Sequence, residues 1–406
     1  MNSPIDNLPY ANPESVGMSG ERLAHIAPAI QRYIDKQLIP GAVTMVARHG
    51  KVVYFDSQGL KNIDTQEAMG KDTVFRIASM TKPIVSLALM MLFEEGKFQL
   101  HDPISRFLPA FKDMQVMEDD GQGGYRLRPA QREINVRHVL THTAGFANEY
   151  NPRCNGASYK LLKDIGRPFD RSGTIDDFVT RLAQVPLVYE PGTEWDYSRA
   201  TCVVGRLVEV LSGMSLKDFV ETRILQPLGM EDTHFFLPHH KLSRFSASYK
   251  PTKDLTIELE DPDSAESFYA SADSEFYVGS GGLVSTAADY FRFTDMLRRN
   301  GTNGETRIVS RKTLELMRTN HTGNKLIWLS GPGYGFGLGF GVVLDRGKTH
   351  AIASEGSYSW GGMFCTHWWN DPQEDLFGMV LTQVRPYDHL NIRSDMQVLA
   401  TQAIID

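Results

Sequence analysis

Apolar and polar positions along this chain alternate between two periods. Leu23, Ile26, Ile30 and Ile34 fall on one side of a helix predicted over 20–36. Two β-rich runs follow, 41–48 and 51–57, around His49-Gly50, which reads as a hairpin. Residues 81–95 are apolar on nearly every side, the pattern of a buried helix, and Gly96 suits its C-terminal cap. Short helices are predicted over 102–109 and 136–141, the latter stopped by Gly145, with a polar Gly-rich loop at 119–124 between them. The stretch 151–169 is irregular and rich in Pro, Gly and Asn, a candidate lid. Helical spacing returns over 175–184, 200–212, 216–224, 286–299 and 309–319. Strand signals then dominate 335–344, 350–354, 363–369 and 376–383, the last two joined by a turn at 371–375, before a terminal helix over 391–405. Strands near both chain ends with helices between predict one sheet assembled from distant segments. Residues 1–112 and 270–406 are expected to form the sheet domain, 113–269 a helical insertion, and the active site the space between them.

Composition adds bounds. At 406 residues the chain exceeds the needs of one small core, and 41% hydrophobic with 22% charged residues is ordinary for a folded protein. The net charge of −7 argues against general affinity for nucleic acid or acidic membranes. The apolar run 87–93 is too short to span a bilayer, and the N-terminus lacks a basic start and an apolar run. A cytoplasmic location without a membrane partner is the expectation. Cys154, Cys202 and Cys365 lie far apart without zinc-ligand spacing, so they read as small buried side chains, and no metal is implied.

The candidate chemistry centres on Ser79-Met80-Thr81-Lys82, the one Ser-x-x-Lys in the chain. At the opening of a helix, residues three apart project from nearly the same face. A lysine that sheds its proton can draw one from the serine, and the helix N-terminus favours the negative charge that develops. The spacing alone is also that of a serine N-cap followed by a surface lysine. Pro83 lacks the N–H that would bond back to Ser79, which places Ser79 in a tight first turn with the regular helix starting near Lys82. His142, near a helix end, reads as a capping or packing residue.

Four stretches together carry a resemblance: 75–83; Leu140-Thr141-His142-Thr143-Ala144-Gly145; Pro191-Gly192-Thr193-Glu194-Trp195-Asp196-Tyr197-Ser198; and Trp360-Gly361-Gly362. In order and separation they resemble the serine β-lactamase-like hydrolases, and most the family VIII carboxylesterases. The resemblance runs from about residue 15 to the end. It implies an α+β fold, an antiparallel sheet flanked by helices with a mainly helical insertion. It places Tyr197 beside the Ser79–Lys82 pair as a proton carrier, and assigns the oxyanion hole to the backbone N–H groups of Ser79 and Met363. Trp360, Gly361 and Gly362 would line the substrate pocket where lactam-hydrolysing members carry Lys-Thr-Gly. Tyr150, Tyr334 and Tyr358 are further pocket candidates, with Trp195 and Phe336 nearby, although core packing fits each of these aromatics singly. Arg199 departs from the asparagine usual in penicillin-recognising members.

These readings converge on a serine carboxylesterase acting on small or medium esters through a covalent acyl-enzyme, without cofactor or metal. Alternatives are acyl transfer from the same intermediate, weak β-lactamase or D-amino-acid peptidase activity, or a decayed hydrolase that only binds a ligand. Activity is expected to rise toward alkaline pH, since the lysine–phenol pair accepts the serine proton only when it holds one proton fewer.

Overall fold

The computed structural model describes residues 5, 7–120, 125–148, 163, 173–270 and 274–406. Its frame is an eight-stranded antiparallel sheet. In chain order the strands are β1 (Gly41–Arg48), β2 (Lys51–Asn62), β3 (Glu67–Ala68), β4 (Tyr334–Phe336), β5 (Gly341–Val343), β6 (Tyr358–Gly362), β7 (Thr366–Asp371) and β8 (Leu376–Leu381). In space they run β4-β5-β6-β7-β8-β1-β2-β3. The seam between chain ends is the β1–β8 pairing, from Val43 opposite Leu381 to Arg48 opposite Leu376.

Every residue of β1 is buried because both sheet faces are covered. Val43, Met45 and Ala47 point into the larger hydrophobic cluster, and Ala42 and Val46 into a second one. On the second face pack α1 (Ile26–Asp35) and the terminal helix α5 (Ile392–Thr401), through Ile26, Ile30, Met396 and Ala400. On the first face lie α4 (Ala287–Arg298), which touches β1 and β8, and α2 (Thr81–Glu94). α2 is buried along its whole run from Thr81 to Leu92, and it packs against α3 (Ala200–Ser212). Gly96 follows α2 at φ +72°, the left-handed cap its position predicts.

Several expectations change in detail. The single helix of 20–36 is two, Gly20–Leu23 and Ile26–Asp35. The helix of 102–109 is a pair of 3₁₀ turns, Ile104–Arg106 and Pro109–Phe111, since Pro109 cannot continue a helix begun before it. The segment 350–354 is not a strand. Its Ser354 N–H donates to the Asp371 carboxylate instead of a ladder partner. The strand predicted over 363–369 starts only at Thr366, since 363–365 form the turn from β6, and the strand predicted over 335–344 is two, β4 and β5. Two hairpins were not foreseen, Gln115–Asp119 with Tyr125–Pro129 and Ser248–Pro251 with Ile257–Asp261. The proposed lid at 151–169 lies outside the described residues, apart from Lys163. No helix among the described residues is long and apolar enough to cross a membrane.

Candidate active site

Ser79 stands in a 3₁₀ turn, Ala78–Met80, that runs directly into α2 at Thr81. Ala78 holds φ +42°, a conformation that costs an L-residue about 1–3 kcal/mol. Neighbouring elements fix it. Ile77 N–H donates to Leu283 O at 3.2 Å, Leu283 N–H to Thr81 Oγ1 at 3.1 Å, and the Tyr290 hydroxyl of α4 to Met80 O at 3.0 Å. Pro83 sits in the first turn of α2, where a missing N–H costs nothing.

Lys82 is no surface lysine. It is 3% exposed, and its Nζ donates to Ser79 Oγ at 3.0 Å and to Ser280 O at 2.6 Å. The Tyr197 hydroxyl lies 2.7 Å from the same Oγ. Lys82 Nζ also sits 4.6 Å from the Tyr197 ring centroid, a cation over a π face. Three groups 118 positions apart at the extremes thus share one hydrogen-bonded point. The serine oxygen is their common acceptor. When the lysine–phenol pair loses a proton, one of the two bonds reverses and the serine becomes the donor.

Tyr197 is held from behind. Asn148 Nδ2 donates to Tyr197 O at 2.6 Å and to Asp196 Oδ1 at 3.2 Å. His142 packs 4.8 Å from the Tyr197 ring, and its Nδ1 accepts the Ser198 N–H at 3.3 Å. Burial, then the nearby Lys82 charge, hold the His142 imidazole well below its usual pKa, so it is neutral. Its role here is packing, as its position near a helix end suggests. Trp195 and Phe336 complete the aromatic support, 5.7 Å apart and both within ring contact of His142.

In front of Ser79 and Tyr197 opens a cavity of about 870 Å³, walled by Trp360, Gly361, Gly362 and Met363 of the β6 end and by Tyr334. The Trp360 ring lies 5.6 Å from that of Tyr197, tilted by 48°. The two glycines are required by the protein's own backbone. A Cβ on Gly362 would stand 2.4 Å from Ile77 O, and one on Gly361 2.8 Å from Thr366 O and 3.0 Å from the Arg393 guanidinium. Gly362 therefore lets β6 dock against the turn that carries Ser79.

Not every candidate reaches the cavity. Tyr358 is a correction: it is 1% exposed, packs on Phe340 and Trp368, and its hydroxyl accepts from Asn370 at 2.8 Å. It shares a strand face with Trp360 but lies two residues farther along, under the core. Tyr150 lies outside the described residues, as does Cys154. Cys202 and Cys365 are buried free thiols. Arg199 lies over the Phe178 ring at 5.6 Å, on the helical side, and is no part of the cavity wall.

Much of the wall escaped the sequence reading, Trp328, Leu329, Arg385 and Arg393 among it. Trp328 and Leu329, 43% and 48% exposed, form an apolar rim, and Trp328 Nε1 donates to Asp196 Oδ1 at 3.1 Å beside Tyr197. An apolar run in a loop was the available signal. Arg385 and Arg393 lie in the same wall, and helix or turn periodicity gives no hint of either.

Comparison with known proteins agrees with this frame. Residues 26–402 match the Beta-lactamase family. Esterase EstB of Burkholderia gladioli is 30% identical over 386 residues, covering 88% of this chain and 91% of that protein. ML-236A carboxylate methylbutanoyltransferase mlcH of Penicillium citrinum is 26% identical over 416 residues, covering 95% and 94%. Among solved structures, EstCE1, a hydrolase with promiscuous acyltransferase activity, aligns with a TM-score of 0.78 at 28% identity, covering 95% of this chain and 99% of its own. The fold, the order of its elements and these likenesses place the chain in the Beta-lactamase family, among serine acyl-enzyme hydrolases and transferases.

Proposed function

We propose that this protein is a carboxylesterase of the family VIII type, cleaving small or medium carboxylic esters through an acyl-enzyme on Ser79. The observation that carries the reading is the pairing of Ser79 Oγ with both Lys82 Nζ at 3.0 Å and Tyr197 OH at 2.7 Å, facing a cavity with an apolar rim. Ser79 Oγ attacks the ester carbonyl while its proton passes to the Lys82–Tyr197 pair. The carbonyl oxygen gathers negative charge between the N–H groups of Ser79 and Met363, each such donor being worth about 3 kcal/mol. Collapse expels the alcohol, which takes the proton from the pair. Water then enters by the same route in reverse and releases the acid. A tryptophan at 360 in place of a lysine and the apolar rim favour an uncharged ester over a lactam carboxylate, and the two wall arginines are engaged elsewhere, Arg385 with Glu260 and Arg393 with backbone carbonyls.

A second reading is acyl transfer, in which an alcohol replaces water. The relatives that bear transferase names and the size of the cavity, about 870 Å³, favour keeping it.

Intact-mass analysis after a fluorophosphonate probe tests the nucleophile: one adduct is expected on the native chain and none on Ser79→Ala. Labelling that persists in Ser79→Ala rejects Ser79. Products from a p-nitrophenyl ester, measured with and without added alcohol, then separate hydrolysis from transfer.

A further inference from the structure

The Met363 N–H, one half of the oxyanion hole in the reading above, belongs to the same peptide unit as the Gly362 carbonyl. In a trans peptide these two groups point in opposite directions. Whatever grips the carbonyl therefore aims the N–H. The grip comes from Arg393, one residue into the terminal helix α5. Its Nη2 donates to Gly362 O and, at 2.8 Å, to Thr366 O. These two carbonyls flank the turn 363–365, so one planar guanidinium ties both ends of the loop that starts with Met363.

The guanidinium is itself held. Its Cζ lies 3.9 Å from the centroid of the Tyr387 ring, and the bare Gly361 leaves the space it occupies. Among the described residues no carboxylate lies within ion-pair distance of Arg393, so no anion competes with the two carbonyls for its Nη2. A charged donor on a C=O strengthens that bond, and linked hydrogen bonds polarise one another across the peptide. The N–H at the far side becomes the better donor.

We propose that Arg393 is a positioning residue that orients and polarises the Gly362–Met363 peptide, so that Met363 N–H faces the developing oxyanion. It makes no hydrogen bond to Ser79, and although it lines the cavity wall its effect is exerted through that peptide. The inference rests on the acyl-enzyme reading.

The test follows the acyl carbonyl. The full-length protein is acylated with a slowly released cinnamoyl ester, and the carbonyl stretch of the bound acyl group is recorded by isotope-edited infrared difference spectroscopy. The same is done for Arg393→Lys and Arg393→Met, with deacylation rates and KM. In the native chain the stretch is expected below that of the free ester in water. In Arg393→Met the downshift shrinks and deacylation slows about tenfold, while KM changes less than about twofold, the pattern of an interaction made in the transition state. Arg393→Lys keeps the cation and recovers part of both. A native downshift that persists unchanged in the variants, with unchanged deacylation, overturns the role of Arg393 alone. A native chain with no downshift overturns the oxyanion reading and this proposal with it. Should Arg393→Met fail to fold, the Lys variant, which retains the aliphatic stem, carries the comparison.

Discussion

At the scale of single residues, the site depends on side chains present and on side chains missing. Removing a proton carrier leaves an intact nucleophile with nowhere to send its proton. Lys82→Met and Tyr197→Phe are each expected to lower kcat/KM by about 10²–10⁴-fold, the usual worth of positioned acid–base groups. Steady-state kinetics on a p-nitrophenyl ester, with circular dichroism to confirm folding, checks this; a folded variant within threefold of native rates contradicts it. The missing Cβ of Gly362 is as consequential. In Gly362→Ala the new methyl meets a backbone oxygen, Ile77 O, at 2.4 Å, and backbone yields at a cost. Overpacking of this kind costs about 1–3 kcal/mol. We expect a lower urea midpoint together with lost turnover, because β6 must retreat from the turn that bears Ser79. Native stability in this variant refutes the packing argument.

At the scale of elements, α4 braces the nucleophile turn through the Tyr290–Met80 bond, and its own start depends on a cap. Thr286 Oγ1 accepts the Asp289 N–H at 3.2 Å, from a backbone position in the extended region. Thr286→Ala is expected to cost about 1 kcal/mol of unfolding free energy with KM unaltered. Equilibrium denaturation reads the first and kinetics the second. The hairpin β6–β7 is the complementary case. Its turn is fixed not by its own sequence but by an arginine from α5, more than 25 residues downstream.

At the scale of the whole molecule, burial sets the response to acid. Burial and nearby cations lower His138 and His234 to about 4 and His367 to about 3, and His142 is lowered as well. Each binds its proton more readily unfolded. The stability each contributes is full above its unfolded value near 6.5 and declines as pH falls toward the folded value, by up to ~1.4 kcal/mol per pH unit. Asp289 opposes them: burial raises it to about 6, so its contribution is full below about 4 and is lost as pH rises through 6. Four groups outweigh one. The urea midpoint is expected to fall between pH 7.5 and pH 5.5, and a midpoint that holds or rises over that range contradicts the balance.

Much of this was legible beforehand, and the reason is local. Periodicity found α1 through α5, the β1–β2 hairpin, β7 and β8, because each pattern repeats within a dozen residues; it ran β4 and β5 together over 335–344 and did not mark β6. Ser79 and Lys82 could be paired because three positions on a starting helix fix their geometry, and Pro83 and Gly96 marked its ends. Distance in sequence hid the rest. That Tyr358 faces the core while Trp360, on the same strand face, reaches the cavity depends on what Trp368, Phe340 and Tyr197 place around them. That Gly362 is bare for Ile77 O, and that Arg393 grips its carbonyl, depends on β6 meeting the nucleophile turn and α5 at once. A one-dimensional pattern records which face is apolar; only the packed chain decides which neighbour, hundreds of residues away, fills the space in front of it.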